Sequence, residues 1–403
     1  MPPAVVVLGF GIFAQGTSEL MLAGILPDVA ADLQISIPRA GLLISVFALG
    51  MMIGAPILAL ATLRWPKRRA LLVFTGIFAA THLVAATTDS FAVLLATRFA
   101  GAFVYAGFWA VAATTAIALV PADRRGRAMS VVAGGLTLAT VIGLPAGTVL
   151  GQHLGWRATF LAVAIATVVA GVAIATTVPA GITASGPARP REEPARPREE
   201  VRALRTGRLW TSYAITAFSI AALLISFGYL GAMLVESSHA GPGTVPVVLA
   251  LYGVGAVAGI AAGGRLADRR PGSVLVGGTA ALAVSSVALA VALPHPAAAA
   301  GAAALLGAAG FVTNPALNSR VFALAPGAPT LAPAFTVAAF NVGIAVGPWL
   351  GGTLLDLGAS YRALPLAGAV LAVVAAALAA LDGAAARRPR RPAERAAVCL
   401  TGS

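Results

Sequence analysis

Two ionisable side chains stand deep inside long apolar stretches, and they are the natural places to look for chemistry. Glu19 lies in FAQGTSELMLAGIL in the first stretch, and Arg98 in LLATRFAGA in the fourth. Glu19 comes about 14 residues into its stretch, roughly 21 Å along a helix that rises about 1.5 Å per residue. In a bilayer a charge at such a depth costs at least about 2.5–3.5 kcal/mol, so a carboxyl there lines a path or finds a partner. Desolvation works against its ionised form, which makes it a group that can hold a proton and release it when its surroundings become wet. Arg98 reaches a similar depth and can stabilise the ionised carboxylate. Two readings stay open for each residue. Glu19 is a proton carrier or one arm of a fixed salt bridge; Arg98 takes part in coupling or is a strut on helix-end carbonyls. No other acid stands so deep: Asp28, Glu236, Asp356 and Asp382 all fall near the ends of apolar stretches.

The elements that must position them are helices. The chain is 59% hydrophobic and only 10% charged. Twelve apolar stretches can be drawn, near residues 5–26, 40–62, 70–86, 91–120, 128–150 and 159–178, then 210–235, 245–266, 273–293, 297–316, 331–354 and 364–381. Stretches of about 20 apolar residues match a hydrocarbon core about 30 Å thick. The fold class expected is therefore an all-α integral membrane protein with 12 transmembrane helices in two six-helix halves. Residues 1–178 form the N-terminal half, 179–208 a linker, 209–382 the C-terminal half and 383–403 a tail.

Net charge is +13, which would suit nucleic acid if the charge were gathered on one face. It is not. With both termini cytoplasmic, 23 of the 27 Lys and Arg residues fall in inner loops, linker and tail, while the outer loops hold Arg39, Arg157 and Arg362. This bias predicts an N-in/C-in topology, with the basic segments meeting anionic headgroups of membrane lipids and no nucleic-acid partner. The linker carries a tandem heptad, ARPREEP at 188–194 and ARPREEV at 195–201, whose Pro, Arg and Glu cannot bury a core. It reads as a solvated connector, with a regulatory or partner-binding segment as the alternative; the tail RRPRRPAER reads the same way. The sole cysteine, Cys399, excludes an internal disulfide and a CxxC metal or redox site. The first stretch is too long for a signal-peptide core and lacks a basic leader, so it is read as a retained helix. Arg-rich, Ala-rich and nearly Lys-free usage points to a GC-rich bacterial source and the plasma membrane as a multi-pass protein.

The halves repeat each other. Gly143, Gly147 and Gly151 with Pro145 in the fifth stretch recur as Gly343, Gly347 and Gly351 with Pro348 in the eleventh. Glycine at every fourth residue lets a neighbouring backbone come close, and a matched pair of such faces argues for duplication. GRLADRR at 264–270, between the eighth and ninth stretches, resembles the cytoplasmic-loop signature of the major facilitator superfamily. That resemblance implies a charge relay through Asp268 and Arg269 that latches the inner face. The equivalent first-half loop, LATLRWPKRR, has Leu63 where the acid belongs when Arg64 is aligned with Arg269 and Pro66 with Pro271. GGLTLATVIGLPAGTVLG and NVGIAVGPWLGG are similar to the Gly/Pro-rich antiporter motif of exporters, and GWRATF at 155–160 is also typical. FAQGTSELMLAGILPDVAADL followed by AGLLISVFALGMMIGAPI looks most like actinobacterial chloramphenicol exporters among the drug:proton antiporters.

The resemblance implies a proton-coupled exporter of an antibiotic, chloramphenicol first, with a small-molecule drug and protons as partners and the proton gradient as energy source. It gives Arg98 a coupling role and directs the search for a drug cavity to the first, fourth, seventh, tenth and eleventh helices. Candidates there are Gln15, Tyr105, Phe108, Trp109, Phe227, Tyr229, Asn314, Asn318, Phe340 and Asn341, with aromatics to stack on flat drugs and amides to orient them. Gly143, Pro145, Gly147, Gly347 and Pro348 are the motif residues expected to serve gating. The seventh helix has no acid matching Glu19; Ser226 and Tyr229 are its polar residues at that depth. His82 is alone in the third helix and reads as a packing or hydrogen-bonding residue; His153, His239 and His295 fall in outer loops. No Walker A pattern, metal cluster or nucleophile–base set is found, so an enzyme is not expected, nor a cofactor, and a monomer suffices. Export of a sugar, nucleoside or other metabolite is the alternative, and a transporter-like receptor the distant one.

Overall fold

The computed structural model describes residues 1–62, 65–180, 202, 204, 206–238, 241, 243–325 and 331–387. Twelve helical segments among them are long and apolar enough to cross a membrane. Spans 1 to 4 are Pro3–Asp32, Ile37–Ala61, Lys67–Thr87 and Phe91–Ala118. Span 5 runs as Arg125–Leu138, a π-helical turn Ala139–Gly143 and Leu144–Leu154; span 6 is Trp156–Thr177. Span 7 is Gly207–Phe227 followed by Leu230–Ser238, spans 8 and 9 are Thr244–Arg269 and Pro271–Ala292. Span 10 is Pro296–Val312 followed by Asn314–Leu324, and spans 11 and 12 are Leu331–Asp356 and Ala363–Arg387. Most of the linker and tail, including Cys399, together with Leu63, Arg64 and His239, lies outside the described residues.

Several helix bounds differ from the sequence expectation. Span 1 does not stop near residue 26 but carries Pro27 inside the helix and ends at Asp32, followed by Gln34 at φ 52°. Span 4 ends at Ala118, short of Val120 as expected for so long a stretch. Span 10 is interrupted at Thr313, because Pro315 has no N–H to return to the preceding turn. Span 7 breaks after Phe227, where Gly228 caps one helix on the Leu224 carbonyl and Tyr229 precedes the next. The π turn of span 5 sits directly before Pro145, whose missing N–H removes one α-helical bond.

The same helix pairings occur twice. Spans 2 and 4, 1 and 5, 3 and 6, 3 and 4, and 1 and 6 pack against each other; so do 8 and 10, 7 and 11, 9 and 12, 9 and 10, and 7 and 12. The register repeats as well. A side chain on Gly50 or Gly54 would strike the carbonyl of Phe99 or Phe103, and one on Gly255 or Gly259 that of Ala304 or Ala308. Each member of the second set stands 205 residues after its counterpart, as 255 follows 50 and 304 follows 99. In hydrocarbon no hydrophobic force draws helices together, so backbone-to-backbone approach over glycine supplies the packing. Outward faces remain apolar, as at Val291 and Val284, 73% and 70% exposed.

Charges tie the helix ends. At the end where span 1 begins and span 12 finishes, called here the near end, Asp382 accepts from Arg208 Nε at 3.0 Å and from Arg320, joining spans 7, 10 and 12. Lys67 and Arg68 donate to the Thr114 and Ala175 carbonyls, so the basic first turn of span 3 caps the last turns of spans 4 and 6. At the opposite, far end, Arg157 of GWRATF holds Asp32, Asp89 and the Thr88 carbonyl, and the Trp156 indole donates to Asp32 at 3.1 Å.

Replacing Gly54 or Gly259 by Leu should therefore overpack its helix pair by about 1–3 kcal/mol or more. Both variants are expected to melt at lower temperature in detergent and to lose monodisperse protein. Gly76→Leu, where nothing lies within 4 Å, should behave as wild type. Equal losses in all three variants would discard the carbonyl-on-glycine account.

Candidate functional site

Between the halves lies a cavity walled by span 1 (Glu19, Leu20, Ala23), span 2 (Ile44, Phe47), span 5 (Leu136, Thr140), span 7 (Ile220, Leu224, Phe227), Tyr252, Phe311 and span 11 (Phe340, Ile344). Glu19 is the one ionisable acid or base on this wall; the rest is aliphatic or aromatic apart from Thr140 and the Tyr252 phenol. Phe227 and Tyr252 stack with ring centroids 4.4 Å apart, presenting a flat apolar surface from the C-terminal half.

The cavity is closed toward the far end. There Ser45 Oγ donates to the Ala345 carbonyl at 2.8 Å, linking spans 2 and 11 across the halves. Gly231 of span 7 lies against the Ala23 carbonyl and Gly24 of span 1, Gly253 of span 8 against the Thr140 carbonyl, and Gly352 against the Pro38 carbonyl. Tyr229, fully buried, donates to the Pro348 carbonyl at 2.8 Å, and its ring fills the space left by Gly41 and Gly351. Among the described residues these approaches all fall in the far halves of their spans.

Arg98 sits behind Glu19, 2% exposed. Its Nη1 donates to the Ser18 carbonyl at 3.1 Å and to Ser18 Oγ at 2.7 Å, and its guanidinium carbon lies 4.1 Å from the centre of the Phe47 ring. A cation over an aromatic face is a favourable placement away from water. Its Nε and Nη2 have no hydrogen-bond partner. Glu19 is close enough to interact with it electrostatically, yet the two form no ion pair within 4.0 Å. His82 completes the group: its Nε2 lies 2.6 Å from Ser18 Oγ and its Nδ1 2.8 Å from the Phe78 carbonyl.

The sequence-predicted residues distribute unevenly around this arrangement. Glu19, Phe227 and Phe340 line the cavity. Gln15 is fully buried one helical turn before Glu19, with both amide atoms unpartnered, and the Tyr105 hydroxyl, also fully buried, is unpartnered too. Phe108 and Trp109 belong to the packing of the N-terminal half, Phe108 against Gly11. Tyr229 is a far-end closure residue rather than a wall residue. Asn341 turns back onto the Val337 carbonyl, Asn318 onto that of Asn314, and the Asn314 Oδ1 is buried without a partner. Gly143 and Gly147 face Thr17 and Met21 of span 1; Gly347 faces the Ala221 carbonyl of span 7. Pro145 follows the π turn, and Pro348 accepts from Tyr229. The Asp268 and Arg269 side chains lie outside the described residues. Asp28 and His153 are exposed, and Ser226 is buried with its hydroxyl unpartnered. Sequence reading missed Phe47, Tyr252, Phe311 and Thr140 as wall residues, and missed Ser18, although it stands next to Glu19.

The chemistry is one-sided. At the 205-residue spacing Arg98 corresponds to Ala303 and His82 to Val287, so the duplicated frame has no second ionisable pair there.

Two bundles of six paired helices around an apolar cavity with one acid on its wall define a membrane transporter, not an enzyme. The chain belongs to the Major Facilitator Superfamily, whose profile matches residues 8–328 and 226–398. It is thus a multi-pass protein of the bacterial plasma membrane. It is 43% identical over 356 residues, 88% of this chain and 90% of the other, to a chloramphenicol resistance protein of Streptomyces lividans. It is 35% identical to the uncharacterized MFS-type transporter YtbD of Bacillus subtilis (strain 168), over 88% of this chain and 89% of that protein. To the inner membrane transport protein YdhP of Escherichia coli (strain K12) it is 32% identical, over 91% and 92%. Among solved structures, an inward-facing, unoccupied bacterial homolog of the human lysosomal transporter Spinster superposes with a TM-score of 0.79 at 18% identity, covering 94% of this chain and 96% of that one. The nucleoside transporter NupG (D323A mutant) gives a TM-score of 0.77 at 14% identity, covering 94% and 98%. These two likenesses bear on the fold alone.

The Tyr229 to Pro348 bond lies within the C-terminal half and aims the Tyr229 ring at Gly41 of span 2, so losing that bond, worth about 1 kcal/mol, should loosen the far-end contact. In a Cys399→Ser background, a cysteine placed at the buried Ala40 should react about five-fold faster with an impermeant maleimide when Tyr229 is replaced by Phe. An unchanged rate would remove Tyr229 from the closure.

Proposed function

We propose that the protein exports an uncharged aromatic antibiotic, chloramphenicol foremost, across the plasma membrane in exchange for protons. The observation that carries the reading is Glu19, a lone carboxyl on the wall of an otherwise apolar and aromatic cavity. Ring faces from Phe47, Phe227, Tyr252, Phe311 and Phe340 suit a flat apolar drug, and one polar group fixes its orientation. The 43% identity to a chloramphenicol resistance protein over most of both chains supports the same substrate.

The arginine bias of the linker and inner loops supports a cytoplasmic near end with both termini inside. The structure is then the state closed to the outside. Drug entering from the cytoplasm meets Glu19 and displaces its proton, because one carboxyl cannot serve both partners at once. The halves then rock about the cavity and release the drug outside. Protonation of Glu19 from the outside neutralises the carboxyl, and a neutral wall crosses the apolar interior at lower cost than a charged one. The proton gradient supplies the energy; no nucleotide or other cofactor takes part. One carboxyl implies one proton per cycle, so exchange for an uncharged drug carries one net charge.

Energised uptake of labelled chloramphenicol into inside-out vesicles tests this directly. Wild-type uptake should collapse with a protonophore, respond to membrane potential at zero pH gradient, and be absent in Glu19→Gln. Uptake that survives the protonophore would sink the coupling. No uptake from demonstrably folded protein would point to a metabolite instead.

A further inference from the structure

Many hydroxyls of the spans follow a habit that Ser18, like Ser45, breaks. Thr17, Thr148, Thr216 and Ser286 each donate to the carbonyl four residues back, the default for such a side chain on a helix. A Ser18 hydroxyl bonded in that way would turn its proton down its own helix. Instead Ser18 Oγ reaches across to His82 Nε2 at 2.6 Å.

The direction of that bond follows from its far side. His82 Nδ1 lies 2.8 Å from the Phe78 carbonyl, which only accepts, so Nδ1 carries a proton. In the neutral ring Nε2 is then bare and accepts from the Ser18 hydroxyl. The Ser18 lone pairs are thereby left to Arg98 Nη1, 2.7 Å away. Every donor in the row points the same way, from guanidinium to hydroxyl to imidazole to carbonyl. His82 itself is 3% exposed and fixed by stacking on Phe78, with centroids 4.1 Å apart. The groups facing it are Ser18 of span 1, Arg98 of span 4, the Phe160 ring of span 6 at 5.7 Å and its own neighbour Thr81. Arg98 is the charged one among these, and Glu19 lies beyond it.

We propose that His82, acting through Ser18, is a positioning residue for transport: it holds Arg98 on the Phe47 ring with Nε and Nη2 free to receive the Glu19 carboxylate. The inference rests on the proton-coupling reading of Glu19 and adds what keeps the arginine ready for it. Without the imidazole acceptor, Ser18 falls back onto its own helix, Arg98 loses its oriented partner, and it settles toward Glu19 throughout the cycle. Substrate binding on the cavity wall would be spared while turnover fails.

The test compares His82→Phe, His82→Gln and Ser18→Ala in the chloramphenicol vesicle assay, with Glu19→Gln alongside. His82→Phe keeps a stackable ring but offers no acceptor; His82→Gln returns one. His82→Phe should keep KM within about two-fold, lower turnover at least about ten-fold and move the pH–rate midpoint by about one unit toward acid. His82→Gln should recover most of the turnover, and Ser18→Ala combined with His82→Phe should add little to either alone. Unchanged pH midpoints in His82→Phe and Ser18→Ala, additive losses in the double variant, or a Gln variant no better than Phe would each overturn the proposal. Should His82→Phe elute aggregated, Ser18→Ala, which removes one oxygen, decides by the same midpoint. Proton-independent uptake in wild type, or full coupling in Glu19→Gln, would instead overturn the function on which it rests.

Discussion

Inside hydrocarbon a polar group finds its partner within the chain or goes without, and this constraint orders the whole molecule. Backbone groups are satisfied by forming helices. Hydroxyls such as Thr75, Thr148 and Thr279 are satisfied by bending back onto their own helix. Charges are displaced to the ends, where Arg157 gathers Asp32 and Asp89 at one side and Asp382 gathers Arg208 and Arg320 at the other. Once these accounts are settled, little polar capacity is left over in the middle of the bundle. Its ionisable part is concentrated in Glu19 and Arg98, with Gln15 and Tyr105 near them in the N-terminal half; the C-terminal half leaves only the neutral groups of Ser219, Ser226 and Asn314 among the described residues.

That concentration sets the frame apart from the chemistry. The frame is duplicated down to the register at which Gly50 and Gly54 seat on span 4 and Gly255 and Gly259 on span 10. Packing of this kind depends on the absence of a side chain, so it survives in both copies while neighbouring positions diverge. The polar positions did diverge: Ala303 and Val287 stand where the first half has Arg98 and His82. The C-terminal half contributes aromatic surface through Phe227, Tyr252, Phe311 and Phe340. One half offers the titratable group, the other most of the rings, and the cavity forms where they meet.

The fold was largely legible in the chain because a membrane span announces itself by length and composition. Glu19 was legible for the same reason, since a lone acid among Leu, Met and Ala has no cheap structural explanation. Sidedness within a span was not. A helix that is apolar all round has no periodic polar face, so nothing distinguished Phe227, which lines the cavity, from Tyr229 two residues on, which plugs the far end against Pro348. The same blindness hid Phe47 and Tyr252. His82 looked inert because its partner Ser18 is 64 residues away in sequence, and Arg98 reaches it only through Ser18. The breaks at Thr313 and Gly228 carried a signal in Pro315 and in the Gly–Tyr step, but proline and glycine are common in membrane helices and mark a break only in context.

The chemistry of the far-end closure also bears on how the two halves can part. Its contacts are made by glycines laid on carbonyls, as Gly231 on Ala23 and Gly253 on Thr140, with the Ser45 to Ala345 hydrogen bond across them. No ion pair joins the halves among the described residues; the charged clamps of Arg157 and Asp382 each lie within one half. Breaking the pairs of the buried Asp382 costs far more than separating short-range backbone contacts one by one, while the exposed Arg157 clamp adds little. Within each half the helices are packed along their whole length, and across the seam only short-range contacts hold the units together. A body built in that way yields first at the seam between its halves, which is the motion that a cavity facing alternate sides requires.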